Sequence, residues 1–232
     1  MNIKDRIEKI FSRKTNPEEF FKGKKIRKNE QEVYSFVDGI QLKNLTDKDD
    51  VKNQLSQYLH SNVNITSVDY GFVLLPAHRV PGWADTTWPV GEEEVNNVWK
   101  IDVKKDSKKI SLATIRGDLA VLKSDDSIKF NPYPKGYEFE DKKQTITTKY
   151  KVTGGAWNEA EVTNVVPRFR YDGKQIQLIG ATEISGLSHH GNGGGSFTET
   201  ARKLLRAEDF VKIRQEQEIL RRQNSLANKN SK

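Results

Sequence analysis

The stretch RFRYDGKQIQL, from Arg168 to Leu178, decides the fold class of this chain. Apolar and polar residues alternate on both sides of Asp172 and Gly173. An Asp-Gly pair suits a two-residue type I′ turn, because both central positions of that turn need a positive φ. This turn would place Phe169 opposite Ile176. We therefore predict an antiparallel β-hairpin here.

The same alternation of apolar and polar residues recurs upstream, in several short segments that begin near residue 62. Short turns separate these segments, and no helical pattern lies between them, which is typical of an antiparallel sheet. The predicted fold class is α+β. An antiparallel curved sheet or partial barrel occupies about 62–185, flanked by N-terminal helices and a long C-terminal helix.

Residues 1–61 are predicted to hold amphipathic helices and a basic connector. Segment 1–14 places its isoleucines on one stripe, with lysine and arginine outside it. A later helix is expected to begin at Thr46 as its cap and to end near His60. The connector KGKKIRK runs from Lys22 to Lys28.

Downstream of the sheet, the glycine-rich segment 186–196 is predicted to be a hinge. It lacks the third glycine of a dinucleotide fingerprint and the lysine of a P-loop. Ser196 and Glu199 fit a capping box, which predicts a helix over 197–223. Residues 224–232 lack apolar periodicity and are expected to be a disordered tail.

Composition excludes several classes of protein. The 232 residues include no cysteine, so disulfides and thiolate metal sites are excluded. No apolar run is long enough for a transmembrane helix, and the first residues do not resemble a secretory signal. We expect a cytoplasmic protein without a cofactor, a metal site or a catalytic group recognisable from the sequence.

The net charge of +7 lies at the two ends. Residues 1–30 carry +5 and residues 196–232 carry +4, whereas residues 31–195 carry −2. An anionic partner is therefore expected to meet the ends of the chain. The candidate anion-binding residues are Lys22, Lys24, Lys25, Arg27 and Lys28.

Candidate partner-binding residues come from two places. A segment rich in proline and tryptophan carries aromatic side chains, which concentrate binding energy at interfaces. The predicted C-terminal helix carries an apolar face that needs a surface to cover it. The candidates are Arg79, Trp83, Trp88, Leu204, Leu205 and Val211.

These features favour a non-enzymatic interaction or assembly protein, whose terminal helices dock on sister subunits or on a larger complex. Residues 1–14 could add a peripheral contact with a membrane surface. One alternative is a nucleic-acid-binding protein that uses its basic ends. Another is an enzyme that acts on a phosphorylated or polar substrate, with His189 or His190 as its base.

Overall fold

The computed structural model describes residues 15–28, 34–76, 93–115, 117–122, 129–153, 159–191 and 194–230. Its fold is mostly antiparallel β-sheet with two α-helices and a curled half-barrel sheet, which confirms the sheet of the predicted fold class. The chain divides into two compact units. The first takes its residues from Met1–Arg79, Val90–Pro134 and Gly173–Gln175, and the second from Val80–Pro89, Lys135–Asp172 and Ile176–Lys232.

The first unit holds a seven-stranded sheet in the order β1-β2-β6-β5-β4-β3-β7, with every pair antiparallel. The strands are β1 (Ile26–Lys28), β2 (Tyr34–Gln41), β3 (Asn64–Pro76), β4 (Glu93–Lys105), β5 (Lys108–Ile115), β6 (Asp118–Leu122) and β7 (Phe130–Pro132). One cluster of buried side chains spans β2 to β6. Its members are Tyr34, Val73, Leu75, Val98, Ala113, Ile115, Ala120 and Leu122.

The described residues of the first unit include two helical segments. A 3₁₀-helix runs over Pro17–Phe20, and α1 runs over Lys48–Ser56 and packs against β3. Val51 and Leu55 are fully buried, because their spacing of four puts both on one face of the helix. The Asp47 side chain accepts hydrogen bonds from the first turn of α1.

The second unit holds a five-stranded antiparallel sheet in the order β12-β11-β10-β8, with β9 also pairing with β10. The strands are β8 (Tyr137–Glu140), β9 (Ile146–Val152), β10 (Glu159–Tyr171), β11 (Ile176–Gly191) and β12 (Gly194–Leu205). Helix α2 (Ala207–Asn230) packs on β11. Its Phe210 is 2% exposed and forms a core cluster with Val165 and Ala181.

The predicted hairpin is confirmed, but its register is wrong by two residues. Tyr171 pairs with Ile176, and Phe169 pairs with Leu178. A type I′ turn needs positive φ at both central positions, and only Gly173 of the Asp-Gly pair has one. The connecting loop is therefore longer than two residues, while a shift of two keeps each side chain on its face of the sheet.

The prediction of N-terminal helices is not borne out. In the described part of the chain before residue 62 there is one short α-helix, and its cap is Asp47, not Thr46. Strand β1 lies in the predicted basic connector, and β2 lies between that connector and the helix predicted from Thr46. The sheet therefore begins well before residue 62. The helix predicted over 1–14 lies outside the described residues.

The predicted hinge at 186–196 is wrong, because its described residues belong to the β11–β12 hairpin. A Cβ on Gly186 would lie 2.3 Å from the Thr198 carbonyl oxygen and 2.6 Å from Cζ of Phe197. Glycine is required at this position because β12 passes so close to it. The residue serves strand packing, not backbone freedom.

The predicted helix start at Ser196 is also wrong. Residues up to Leu205 continue β12, and helix α2 begins at Ala207. The Glu199 side chain binds Arg202 instead of capping a helix. The predicted disordered tail is corrected too, because α2 extends to Asn230.

Candidate interaction surfaces

Strand β12 of the second unit carries exposed apolar side chains on a sheet edge. This strand is the last in the order of its sheet, so within the described residues one of its two edges has no neighbouring strand. The side chains from Ser196 to Leu204 are all exposed. A free strand edge offers unpaired backbone N–H and C=O groups to another chain.

Leu204 and Leu205 were both predicted to lie on one apolar helix face, but in strand β12 they point to opposite faces of the sheet. Leu204 pairs with Thr182 of β11 and is 65% exposed. Leu205 pairs with Ala181 and packs into the cluster around Phe210. Successive side chains of a strand point to opposite faces, so only Leu204 is left as a surface candidate of the two.

Helix α2 leaves the sheet after its first turns. Its 24 residues span about 36 Å. Among the described side chains that follow Phe210, only Ile213 and Gln217 are partly buried, and the others are exposed. The exposed apolar residues of this helix are Val211, Ile219 and Leu220. Val211 is therefore a surface residue of a helix that begins later than predicted, and its contact with a partner stays a prediction.

A charged pair sits in the middle of β12. The guanidinium of Arg202 donates two hydrogen bonds to Glu199, each of 2.9 Å. These bonds hold the pKa of the Glu199 carboxyl below its usual range. Arg202 also lies 3.7 Å from Glu140 of β8. The pair stays charged at neutral pH while both of its side chains face solvent.

The basic connector forms the second candidate surface, in the first unit. A cleft of about 470 Å³ opens beside it. The ring of Tyr58 lies 5.4 Å from Nζ of Lys24. The cleft is lined by Arg27, Phe36, Val37, Gly39, Ile40, Gln41, Lys43, Tyr58 and Asp118. Aromatic and basic groups thus meet at one place, which the run Lys22–Lys28 alone did not predict.

Three of the five candidate anion-binding residues are bound within the protein. Arg27 forms an ion pair with Asp38. The ammonium groups of Lys22 and Lys24 donate to the carbonyl oxygens of Gln57, at 3.3 Å, and Gly39, at 3.4 Å.

Two other lysines of this surface have no such bond. The side chain of Lys25 is exposed and has no partner among the described residues. The same holds for the side chain of Lys43, which lies outside the predicted connector. The side chain of Lys28 lies outside the described residues. The ammonium groups of Lys25 and Lys43 are therefore the ones ready to meet an anion.

A polar network on the first sheet was also missed from the sequence. Asp102 of β4 accepts hydrogen bonds from Ser111 at 2.6 Å, Ser67 at 3.1 Å and Lys100 at 2.7 Å. Burial raises the pKa of Asp102, but the bonds from these three residues outweigh it and the pKa is lowered. A carboxyl held ionised in this way joins three strands and does not suit a general acid.

The enzymatic alternative loses part of its basis. In its glycine run, Gly191 ends β11 and Gly194 begins β12, so the described part of the run leads into a strand and not into a helix N-terminus. His189 lies in β11 with its Nδ1 3.2 Å from Glu159 across the strand pair. The side chain of His190 lies outside the described residues. The described part of the chain contains no cluster of three His, Asp or Glu residues able to hold a metal ion.

Three of the candidate partner-binding residues remain. Arg79, Trp83 and Trp88 lie outside the described residues.

Among the helices that are described, none combines the length and the apolar character needed to cross a membrane. Comparison of the chain with protein-family models, with curated proteins and with solved structures found no match.

Proposed function

We propose that this chain is a non-enzymatic assembly protein that binds a protein partner through the second unit. The observation that carries this proposal is Leu204, a large apolar side chain that is 65% exposed on an edge strand. Edge strands with exposed apolar residues usually carry a device that blocks pairing, or else they pair. Here a partner strand is the simplest way to cover both the leucine and the free edge.

The exposed part of α2 supports the same proposal. A long helix with few packed side chains is marginal in water, and it gains stability from a partner. Val211, Ile219 and Leu220 are apolar side chains of this helix that stay exposed in the single chain. The assembly role thus draws on a strand edge and on a helix that follow each other in the chain.

Substitution of Leu204 by aspartate tests the proposal. Burying a leucine contributes about 1.5–3 kcal/mol, and each 1.4 kcal/mol corresponds to a tenfold change in affinity. We expect Leu204→Asp to weaken association by about tenfold or more, measured as mass against concentration by light scattering. The fold is expected to survive, because exposed positions tolerate such changes within about 0.5 kcal/mol.

Val152→Asp is the matched control. Val152 is 60% exposed on β9 of the same sheet, so the change in charge and apolar area is similar but β12 is untouched. We expect this variant to associate like the wild type. An equal loss in the two variants would contradict a role for β12, and a wild-type chain that forms no complex would contradict the assembly function itself.

The cleft beside the basic connector favours a second candidate function, which is binding of single-stranded nucleic acid. Basic side chains track the phosphates of such ligands, and aromatic rings stack on their bases. Lys43 and Tyr58 line the cleft, and Lys25 is an exposed residue of the connector beside it. The two lysines would meet the phosphates, and Tyr58 offers the ring. This arrangement predicts affinity without sequence preference.

A filter-binding titration across salt concentrations tests the second candidate. Each phosphate contact with a single strand contributes about −0.7 to the slope of log affinity against log salt. We expect Lys25→Ala/Lys43→Ala to make the slope shallower by about 1.4. The control is Lys104→Ala/Lys109→Ala, which removes the same charge from a cross-strand pair of β4 and β5. Affinity that ignores salt, or an equal effect of the control, would contradict this function.

A further inference from the structure

We propose that the partner of β12 is the β12 of a second copy of this chain, which deepens the proposed assembly function and rests on it. The two strands would pair antiparallel about a two-fold axis. In this register, Glu199 lies opposite Arg202 of the second copy, and Phe197 lies opposite its Leu204. Such a contact is closed, because each copy presents the same patch.

The face of each side chain follows from the pairing of β12 with β11. Phe197, Glu199, Arg202 and Leu204 pair with residues 188, 186, 184 and 182 of β11, which alternate along that strand and share one face. The irregularity in the ladder beside Gly186 keeps these four side chains together. These four residues, apolar at the outside and charged in the middle, therefore share one face of the edge strand.

The proposed register gives each of these side chains a favourable contact in the second copy. The exposed Phe197 and Leu204 cover one another at both ends of the contact; they are 43% and 65% exposed in the single chain. In the centre, two carboxylates and two guanidinium groups alternate, and opposite charges on facing strands stabilise a pair. Because the charges of β12 are complementary to those of a second β12 in this register, a second copy is favoured over an unrelated partner.

Neighbouring registers are less favourable. A shift of two residues in one direction places Phe197 opposite Arg202 of the second copy. A shift of two in the other direction places Glu199 opposite its Leu204. A shift of one residue sets opposite faces of the two strands against each other. The pattern of β12 thus specifies one register.

Single-cysteine variants test the register directly, because the chain has no cysteine of its own. Thr198 and Lys203 share the other face of β12, are both exposed, and would lie opposite one another across the two copies. A disulfide needs Cβ atoms about 3.8 Å apart. We expect a mixture of Thr198→Cys and Lys203→Cys, treated with oxidised glutathione, to form a cross-linked dimer.

Each cysteine variant alone is the control for the mixture. Lys203 of one copy lies five residues from Lys203 of the other along the partner strand, about 17 Å in extended chain, so neither variant should cross-link by itself. Equal cross-linking by the single variants, or none in the mixture, would overturn the proposed register. A wild-type chain that stays monomeric at the highest concentration reached would overturn the self-pairing as a whole.

Charge reversal gives an independent test. Arg202→Glu would face Glu199 of the second copy, and we expect self-association about tenfold weaker or worse. Glu199→Arg should do the same. The double variant Glu199→Arg/Arg202→Glu restores opposite charges both within the chain and across the copies, and should recover most of the lost affinity. An equimolar mixture of the two single variants restores them only across the copies, and should also recover affinity. Hydrogen exchange in β11 should stay unchanged in all three variants if they fold.

The outcomes separate this inference from the function on which it rests. If Leu204→Asp abolishes a complex with another protein while the charge variants and the cysteine mixture have no effect, assembly stands and self-pairing fails. If the double variant stays as weak as each single variant, Glu199 and Arg202 do not face each other and the register fails. If no complex of any kind forms, both fail together.

Discussion

Phe210→Ala is expected to release helix α2 from the second sheet. Phe210 is 2% exposed, and it contacts Val165 and Ala181, which are fully buried. Truncation of a buried phenylalanine to alanine costs about 3–5 kcal/mol, because the transfer free energy is lost and a cavity is left. This residue is the deepest anchor that the described part of the helix has.

Hydrogen exchange followed by mass spectrometry measures this loss locally. We expect the protected amides of α2 and of the adjoining part of β11 to exchange about 100-fold faster or more, since 1.36 kcal/mol is a factor of ten. Amides of the first unit should not change. Val211→Ala is the control; it alters the next residue of the same helix, which is 43% exposed, and should have little effect. Unchanged exchange in Phe210→Ala would mean that other residues hold the helix.

The loss of α2 also bears on the proposed assembly. The cluster around Phe210 includes Leu205, the last residue of β12. Release of the helix would therefore expose the end of the edge strand and add apolar surface next to Leu204. We expect the Phe210→Ala variant to form non-specific aggregates. The Leu204→Asp variant should instead form a soluble species that is smaller than the wild-type assembly.

The sequence predicts part of the second sheet and one helix of the first unit. Each of these predictions rests on residues that are close together in the sequence. The hairpin between β10 and β11 was predictable because an Asp-Gly pair between alternating strands is a strong short-range signal. Its register was not, because the backbone of Asp172 keeps a negative φ that the pair alone does not reveal. The amphipathic pattern around Val51 and Leu55 likewise predicted α1 but not its cap at Asp47.

The failure at β12 has a different cause. Phe197, Ala201, Leu204 and Leu205 fit the spacing of a helix face, and Ser196 with Glu199 fits its cap, so the local signals agree on a helix. Pairing with β11 overrides them, as tertiary context often does for strands. A glycine-rich run ahead of these residues suits a tight hairpin as well as a hinge, and the sequence does not separate the two.

The candidate sites depend even more on contacts that are distant in sequence. Ser67 and Asp102 are 35 residues apart, and Lys24 meets the ring of Tyr58 from 34 residues away. No periodicity or motif links such pairs. The edge position of β12 also follows only from the strand order, which the sequence pattern did not reveal.

Gly186→Ala distinguishes the hairpin from a hinge by the sign of its effect. In a flexible hinge, replacing glycine by alanine stabilises a protein by about 0.4–1 kcal/mol, because the unfolded chain loses freedom. In the β11–β12 hairpin the new Cβ would lie 2.3 Å from the Thr198 carbonyl oxygen, so β12 must move away. Overpacking of this kind costs about 1–3 kcal/mol, and we expect destabilisation in urea unfolding.

A second substitution tells which contact resists the alanine. The Cβ would also lie 2.6 Å from Cζ of Phe197, a side chain that can be removed, whereas the Thr198 carbonyl belongs to the backbone and cannot. We therefore expect Gly186→Ala/Phe197→Ala to remain less stable than Phe197→Ala alone. Equal stability of these two variants would mean that the ring alone opposes the change. In that case β12 could adapt to a side chain at position 186, and it would not be held in a fixed position next to β11. The proposed pairing with a second copy depends on that fixed position.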